Sequence, residues 1–225
     1  MSGHIIAMGG GALLDRDSRL EELMLGLARS SRPRVCFLPT AGGEKPEWVL
    51  RFYEEFSARE CQPSHLTLFG MPNDPAARIA QQDVLYVGGG NTANMLALWK
   101  VHGVDRALRE AWARGAVVGG MSAGANCWFE DSVTDSFGPA LRALGGGLGL
   151  LPGSFCPHYD GEPERRPTYT RLVREGALPP GYAADDDVAF HFEGTELREV
   201  VSQREGACGY RVTPDGEEQL NARLL

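Results

Sequence analysis

The chain has 225 residues, 43% of them hydrophobic, and a formal net charge of −8. That supplies apolar material for a sizeable core, and the acidic balance argues against nucleic acid or an anionic membrane as partner. The opening MSGHIIAMGG has neither a basic start nor a long apolar run, and no stretch reaches spanning length, so neither signal peptide nor membrane segment is expected.

In chain order, strand-like runs occur at 4–8 (HIIAM), 34–39 (RVCFLP), 65–69 (HLTLF), 83–87 (DVLYV) and 116–120 (AVVGG). Helical patterns lie between most of them. Residues 17–30 carry Leu20, Leu23, Met24, Leu27 and Ala28 at helical spacing. Residues 46–60 begin with Pro46, suited to a first turn, and offer Trp48, Phe52 and Phe56 to a core. Residues 91–100 and 103–114 read as two further helices split near Gly103. Short apolar strands alternating with helices indicate an α/β fold, with a mostly parallel central sheet covered on both faces. After GSFCP (153–157) comes an arginine-rich helical stretch. Runs at 188–192, 195–201 and 208–212 then read as antiparallel hairpins closing a single domain over 1–225. Cysteines 36, 61, 127, 156 and 208 are odd in number and form no C-x-x-C, which suits reduced, buried thiols in a cytoplasmic protein. Lys45 and Lys100 are the chain's two lysines.

Four of the strands run into small-residue loops: GGG at 9–11, TAGG at 40–43, GGGNT at 88–92 and GGMSAG at 119–124. In open α/β sheets ligands bind beyond the carboxyl ends of the strands, so four such loops favour a site there. A dinucleotide site is not indicated, because Leu14 stands where the third glycine of the fingerprint belongs, and no phosphate-loop motif exists. No metal is indicated either, since His158 and Asp160 are a lone pair without H-E-x-x-H or a cysteine cluster. No cofactor is therefore expected.

Gly120, Ser122 and Gly124 form G-x-S-x-G between a strand-like run and a helix, the pattern of a nucleophile elbow. A plain tight connection would read the same way, so a base and an acid are needed beside it. His4 and His65 are placed at strand beginnings, His102 in a helix–helix turn, and His191 among aromatic residues of a late strand. His158 follows an apolar run and is the histidine whose placement brings an imidazole to Ser122. For the acid, Asp135 lies in a polar loop and Glu193 ends a late strand. Asp160 is too close in sequence to His158, and the run Asp185, Asp186, Asp187 reads as a solvated turn.

GGGNT at 88–92, G-x-S-A-G-A-N at 120–126, T-D at 134–135, P-H-Y at 157–159 and E-G-T at 193–195, in that order, resemble the serine peptidase family that holds dipeptidase E and cyanophycinase. The resemblance implies a flavodoxin-like sheet similar to class I glutamine amidotransferases, with serine replacing their cysteine. It implies Ser122 as nucleophile, His158 as base and Asp135 as acid, with Glu193 competing for that last role. Oxyanion and substrate contacts would fall on Gly89, Gly90, Asn91 and Ala123. Family members carry an arginine helix after the histidine to hold a substrate carboxylate. Here Arg165, Arg166 and Arg171 occupy that region, Arg166 foremost, although Pro167 interrupts the stretch.

The expectation is a serine peptidase of short peptides, a dipeptidase or exopeptidase with N-terminal aspartate as a candidate preference. An amidotransferase-like amidase and a catalytically silent ligand-binding relative are the alternatives. A short peptide is the expected partner, and a homodimer is compatible with so compact a domain.

Overall fold

The structure, a computed structural model, describes residues 3–11 and 19–225. Strands β1 (His4–Met8), β2 (Arg34–Leu38), β3 (Gln62–His65), β4 (Val84–Val87) and β5 (Val117–Met121) run parallel in the order β1-β5-β4-β2-β3. Their alternation is two-sided. Ile5, Ala7, Cys36, Leu38, Leu85, Val87 and Val118 face one core, while Ile6, Met8, Val35, Phe37, Val84, Tyr86 and Val117 face another. Burial on both faces explains why these strands read as continuous apolar runs.

Helices α1 (Arg19–Gly26) and α2 (Pro46–Phe56) cover the second face. Helices α3 (Pro75–Ala80), α4 (Thr92–His102) and α5 (Val104–Ala113) cover the first, and the break at Gly103 falls where the sequence places it. The first helix is shorter than its pattern, and residues 17 and 18 of that expectation lie outside the described residues. Helix α3 was not anticipated, and the third strand lies earlier than HLTLF. His65 therefore ends β3 rather than beginning it, and the Tyr53 hydroxyl bonds its Nδ1 at 3.0 Å.

After β5 comes the short helix α6 (Ala123–Asn126), and the chain then leaves the main sheet. Strands β6 (Phe129–Thr134), β7 (Arg142–Gly145), β8 (Leu151–Cys156) and β9 (Gly181–Ala184), with helix α7 (Arg165–Arg174) between the last two, begin a second sheet. The chain returns to the first sheet through β10 (Val188–Glu193) and β11 (Glu196–Ser202), an antiparallel hairpin laid against β1. Strands β12 (Gly209–Thr213) and β13 (Gly216–Leu220) complete the second sheet, and β14 (Arg223–Leu224) edges the first. The late hairpins are present as expected, but one joins each sheet, and the six-stranded second sheet, β13-β12-β9-β8-β6-β7, is an addition to the expected plan. Phe129 and Phe155 stack at 4.9 Å between centroids, and Phe190 meets Phe155 edge-on at 6.0 Å, so aromatic packing locks the two sheets together.

Within the second sheet β6, β8 and β9 are parallel, with Cys156 opposite Ala183. Two neighbouring strands therefore end together at the edge where the first sheet presents its loops, and that register brings residues 158 and 186 side by side. Pro167 does not interrupt α7. It lies in the first turn, where a missing N–H costs no helical bond.

Candidate active site

Ser122 joins β5 to α6 with φ 54° and ψ −111°, a backbone region that residues other than glycine rarely enter. A Cβ on either Gly120 or Gly124 would overlap the Val87 carbonyl oxygen of the neighbouring strand. The two glycines of G-x-S-x-G therefore let β4 lie tight against the turn that lifts the serine. The elbow is anchored by the Ser122 N–H donating to the Met8 carbonyl at 3.1 Å.

The four glycine-bearing loops converge as anticipated. Gly11, Pro39, Ala41, Gly42, Gly88, Gly89, Gly90 and Met121 line a cavity of about 420 Å³ together with Ser122 and His158. His158 also has positive φ, 54°, and its Nδ1 lies 2.7 Å from Asp186 Oδ1. With Nδ1 committed to the carboxylate, Nε2 is the nitrogen left to accept a proton. The hydrogen bond from His158, with Arg204 and Arg165 nearby, holds the Asp186 carboxyl below the usual carboxylate range.

This pairing corrects the expectation for the acid. Glu193 sits opposite His4 in the antiparallel pair of β10 with β1, so it lies at the amino ends of the parallel strands, where it pairs with Arg198 at 2.9 Å. Asp135 does reach the neighbourhood of Ser122, but its carboxylate faces Arg165 at 3.9 Å, not His158. Asp186, placed in a solvated turn on sequence grounds, is the carboxylate that holds the histidine. Its loop is fixed rather than solvated. Asp186 N–H donates to Asp160 Oδ1 at 2.8 Å, Arg204 Nη2 donates to the Asp186 carbonyl at 3.0 Å, and Arg204 Nε lies 3.3 Å from Asp187 Oδ2. Gly10 and Gly161 flank the pair, and a Cβ on Gly10 would overlap both the His158 ring and the Asp186 carboxylate. Two signals could have found this acid. One is the run of glycines at 9–11, which faces 185–187. The other is the position of Asp186 just past a strand neighbouring that of His158.

Among the described residues, the backbone N–H groups of Gly89, Gly90 and Ala123 make no hydrogen bond, which leaves them free to serve an oxyanion. Asn91 does not join them. Its N–H donates to the Ala41 carbonyl at 2.8 Å, its Oδ1 caps α4 through Asn94 N–H at 2.8 Å, and its Nδ2 donates to the Ser136 carbonyl at 2.9 Å. Asn91 therefore clamps the loop that carries Asp135.

The arginines separate. Arg165 is buried, donates to Glu162 at 2.7 Å and to the Val133 carbonyl at 3.4 Å, and lines a second cavity, about 260 Å³, with Ser122, Asp135, Ser136 and Glu162. Arg166 instead pairs with Glu217 and lies over the rings of Tyr159 and Tyr210 at 5.3 and 4.9 Å, and Arg171 pairs with Glu175 at 3.0 Å on its own helix. Neither lines a cavity beside Ser122, so the expectation that ranked Arg166 first does not hold. His191 is buried against His4 at 3.0 Å, in keeping with a core histidine. All five cysteines are free and buried. No helix among the described residues is long and apolar enough to cross a membrane.

Comparison with known proteins shows the family and the fold. The profile of peptidase family S51 matches residues 5–200. An uncharacterized peptidase, YgaJ, of Bacillus subtilis is 52% identical over 92% of this chain and 91% of its own length. Peptidase E of Citrobacter koseri is 32% identical over 57% of this chain and 56% of its own. The crystal structure of a peptidase from an acI-B1 Actinobacterium superposes with a TM-score of 0.73 over 99% of this chain and 95% of that one, at 18% identity, which shows a shared fold.

Proposed function

The chain belongs to peptidase family S51 and is a serine-type peptidase, and on that premise we propose that it is an exopeptidase of short peptides working through an acyl-enzyme on Ser122. The observation that carries the mechanism is that His158, which lines the same cavity as Ser122, is hydrogen-bonded to Asp186 at 2.7 Å. His158 Nε2 takes the Ser122 proton as the hydroxyl attacks the peptide carbonyl, then gives it to the leaving amine. Asp186 fixes the tautomer and offsets the charge of the imidazolium. The free N–H groups of Gly89 or Gly90 and of Ala123 bind the developing oxyanion, each such donor being worth about 3 kcal/mol. Water repeats the sequence on the acyl-enzyme.

The smaller cavity supports a reading of the substrate's amino end. Its lining holds two carboxylates, Asp135 and Glu162, against one guanidinium, Arg165, a net charge of −1. That balance matches the α-ammonium of an N-terminal residue, whereas an aspartyl side chain would meet an arginine already shared by two acids. We therefore assign Asp135 to substrate binding and propose no N-terminal aspartate preference. A dipeptide library varied at its first residue, with N-acetylated counterparts, tests this by mass spectrometry. Free-amine dipeptides are expected to be cleaved and acetylated ones spared, with Asp-Leu no better than Ala-Leu. Equal cleavage of acetylated peptides would contradict the exopeptidase reading. A fluorophosphonate adduct mapped to a residue other than Ser122 would contradict the mechanism.

A further inference from the structure

The serine lies between two cavities of different chemistry, and the mechanism says which part of a substrate each receives. The histidine returns its proton to the leaving amine, so the leaving residue must lie on the histidine's side. His158 lines the larger cavity and not the smaller one. Apart from Ser122 and His158 the larger cavity is walled by Phe37, Pro39, Trp48 and Met121 and by backbone, with Lys45 as the one Lys, Arg, Asp or Glu in its lining.

Lys45 lines this cavity and is exposed, immediately before α2, on a loop pinned from several sides. The Pro39 carbonyl accepts both Gly42 and Glu44 N–H at 3.1 Å, and Trp99 Nε1 donates to Thr40 Oγ1 at 3.2 Å. Glu44, at φ 57°, turns its carboxylate away onto the N–H groups of Leu68 and Phe69. The acid next to Lys45 is thus withdrawn, and among the described residues the ammonium makes no ion pair. A lysine standing unpaired beside an apolar cavity, in a chain of net charge −8, supplies attraction for an anion where the rest of the surface repels one.

We infer that this cavity takes the C-terminal residue of a dipeptide, an apolar side chain against Trp48 and Phe37 with its free α-carboxylate on Lys45. The inference rests on the proposed serine mechanism and deepens it. The −1 cavity reads the free amine, Lys45 reads the free carboxylate, and the two together measure a substrate one peptide bond long.

The test compares Ala-Leu with Ala-Leu amide, which differ only in the carboxylate, in the wild type and in Lys45→Met and Lys45→Arg. The wild type is expected to cleave the acid with kcat/KM about 10- to 100-fold above the amide, the difference lying in KM. In Lys45→Met the two peptides come within about threefold of each other, while Lys45→Arg keeps most of the preference. Fluorophosphonate labelling of Ser122 in each variant reports that the nucleophile is intact. Equal rates for acid and amide in the wild type, or an undiminished ratio in a labelled Lys45→Met, would overturn the assignment and leave the serine mechanism standing. A wild-type enzyme that cleaves neither peptide and takes no label at Ser122 would overturn both.

Discussion

The nucleophile and the histidine that activates it reach the same cavity by different routes. Ser122 is presented by one short, contiguous segment, in which glycines 120 and 124 flank it against the Val87 carbonyl and its own φ of 54° does the lifting. The His158–Asp186 pair is assembled from three distant segments, 9–11, 158–161 and 185–187, and held from outside by Arg204. The first depends on the parallel sheet alone. The second depends on the second sheet being in register, since it is the pairing of Cys156 with Ala183 that sets the histidine beside the aspartate. Loss of the serine should therefore be a purely chemical lesion, whereas the pair can be disturbed from a distance.

Replacing the serine has the largest effect. Ser122→Ala is expected to lower kcat by about 10⁴-fold or more, with thermal stability nearly unchanged because alanine fits the same turn. His158→Ala should match it, since the two act as a unit. Gly10→Ala probes the assembled half without replacing a reacting residue. Its Cβ must push the imidazole and carboxylate apart, and a displacement of that size is expected to cost about 10²-fold in turnover while Ser122 still takes a fluorophosphonate label.

Arg204→Met should cost less, about tenfold. It should also move the acid limb of the pH–rate profile to higher pH, because Arg204 is one of the cations that keep the Asp186 carboxyl low. A profile that only scales down, without moving, would reduce Arg204 to a scaffold contact. Glu21→Gln marks the lower end of the scale. Glu21 is buried on the inner face of α1, where the Tyr86 hydroxyl donates to it at 3.0 Å, and burial pushes its carboxyl up to about 7. The raised value means that Glu21 favours the fold fully below pH 4.5, where it is neutral in both states, and that this contribution is lost as pH rises through about 7. Glu21→Gln is therefore expected to leave turnover unchanged and to raise unfolding stability at pH 8 by on the order of 1–3 kcal/mol, with little gain at pH 4.

The same contrast explains what could be read from the residues. The elbow is a five-residue pattern at the end of a continuous apolar strand, and the strands that position it are apolar on both faces, so the serine, the parallel sheet and the converging loops were legible. Strand β9 is Gly-Tyr-Ala-Ala, residues of mostly weak strand preference, and its three following aspartates look like a solvated turn. Without β9 the second sheet disappears, and with it the reason for residue 186 to stand beside residue 158. Glu193 closes a run whose antiparallel hairpin was legible, but its pairing partner β1 was not. It does end a strand, but an antiparallel one, which delivers it to the opposite edge. The sorting of the arginines depended on partners remote in sequence, such as Glu217 for Arg166, and no local pattern records those.

The central claim is that Asp186 holds the histidine, and it is tested by comparing kcat for Asp186→Asn, Asp135→Asn and Glu193→Gln on one free-amine dipeptide. Asp186→Asn is expected to lose about 10³- to 10⁴-fold in kcat, as for other triads deprived of their acid. Asp135→Asn should act mainly through KM, and Glu193→Gln should stay within about threefold of the wild type, as surface ion pairs are worth little. An Asp186→Asn enzyme retaining kcat within about tenfold of the wild type, or a larger loss in Glu193→Gln, would contradict the account.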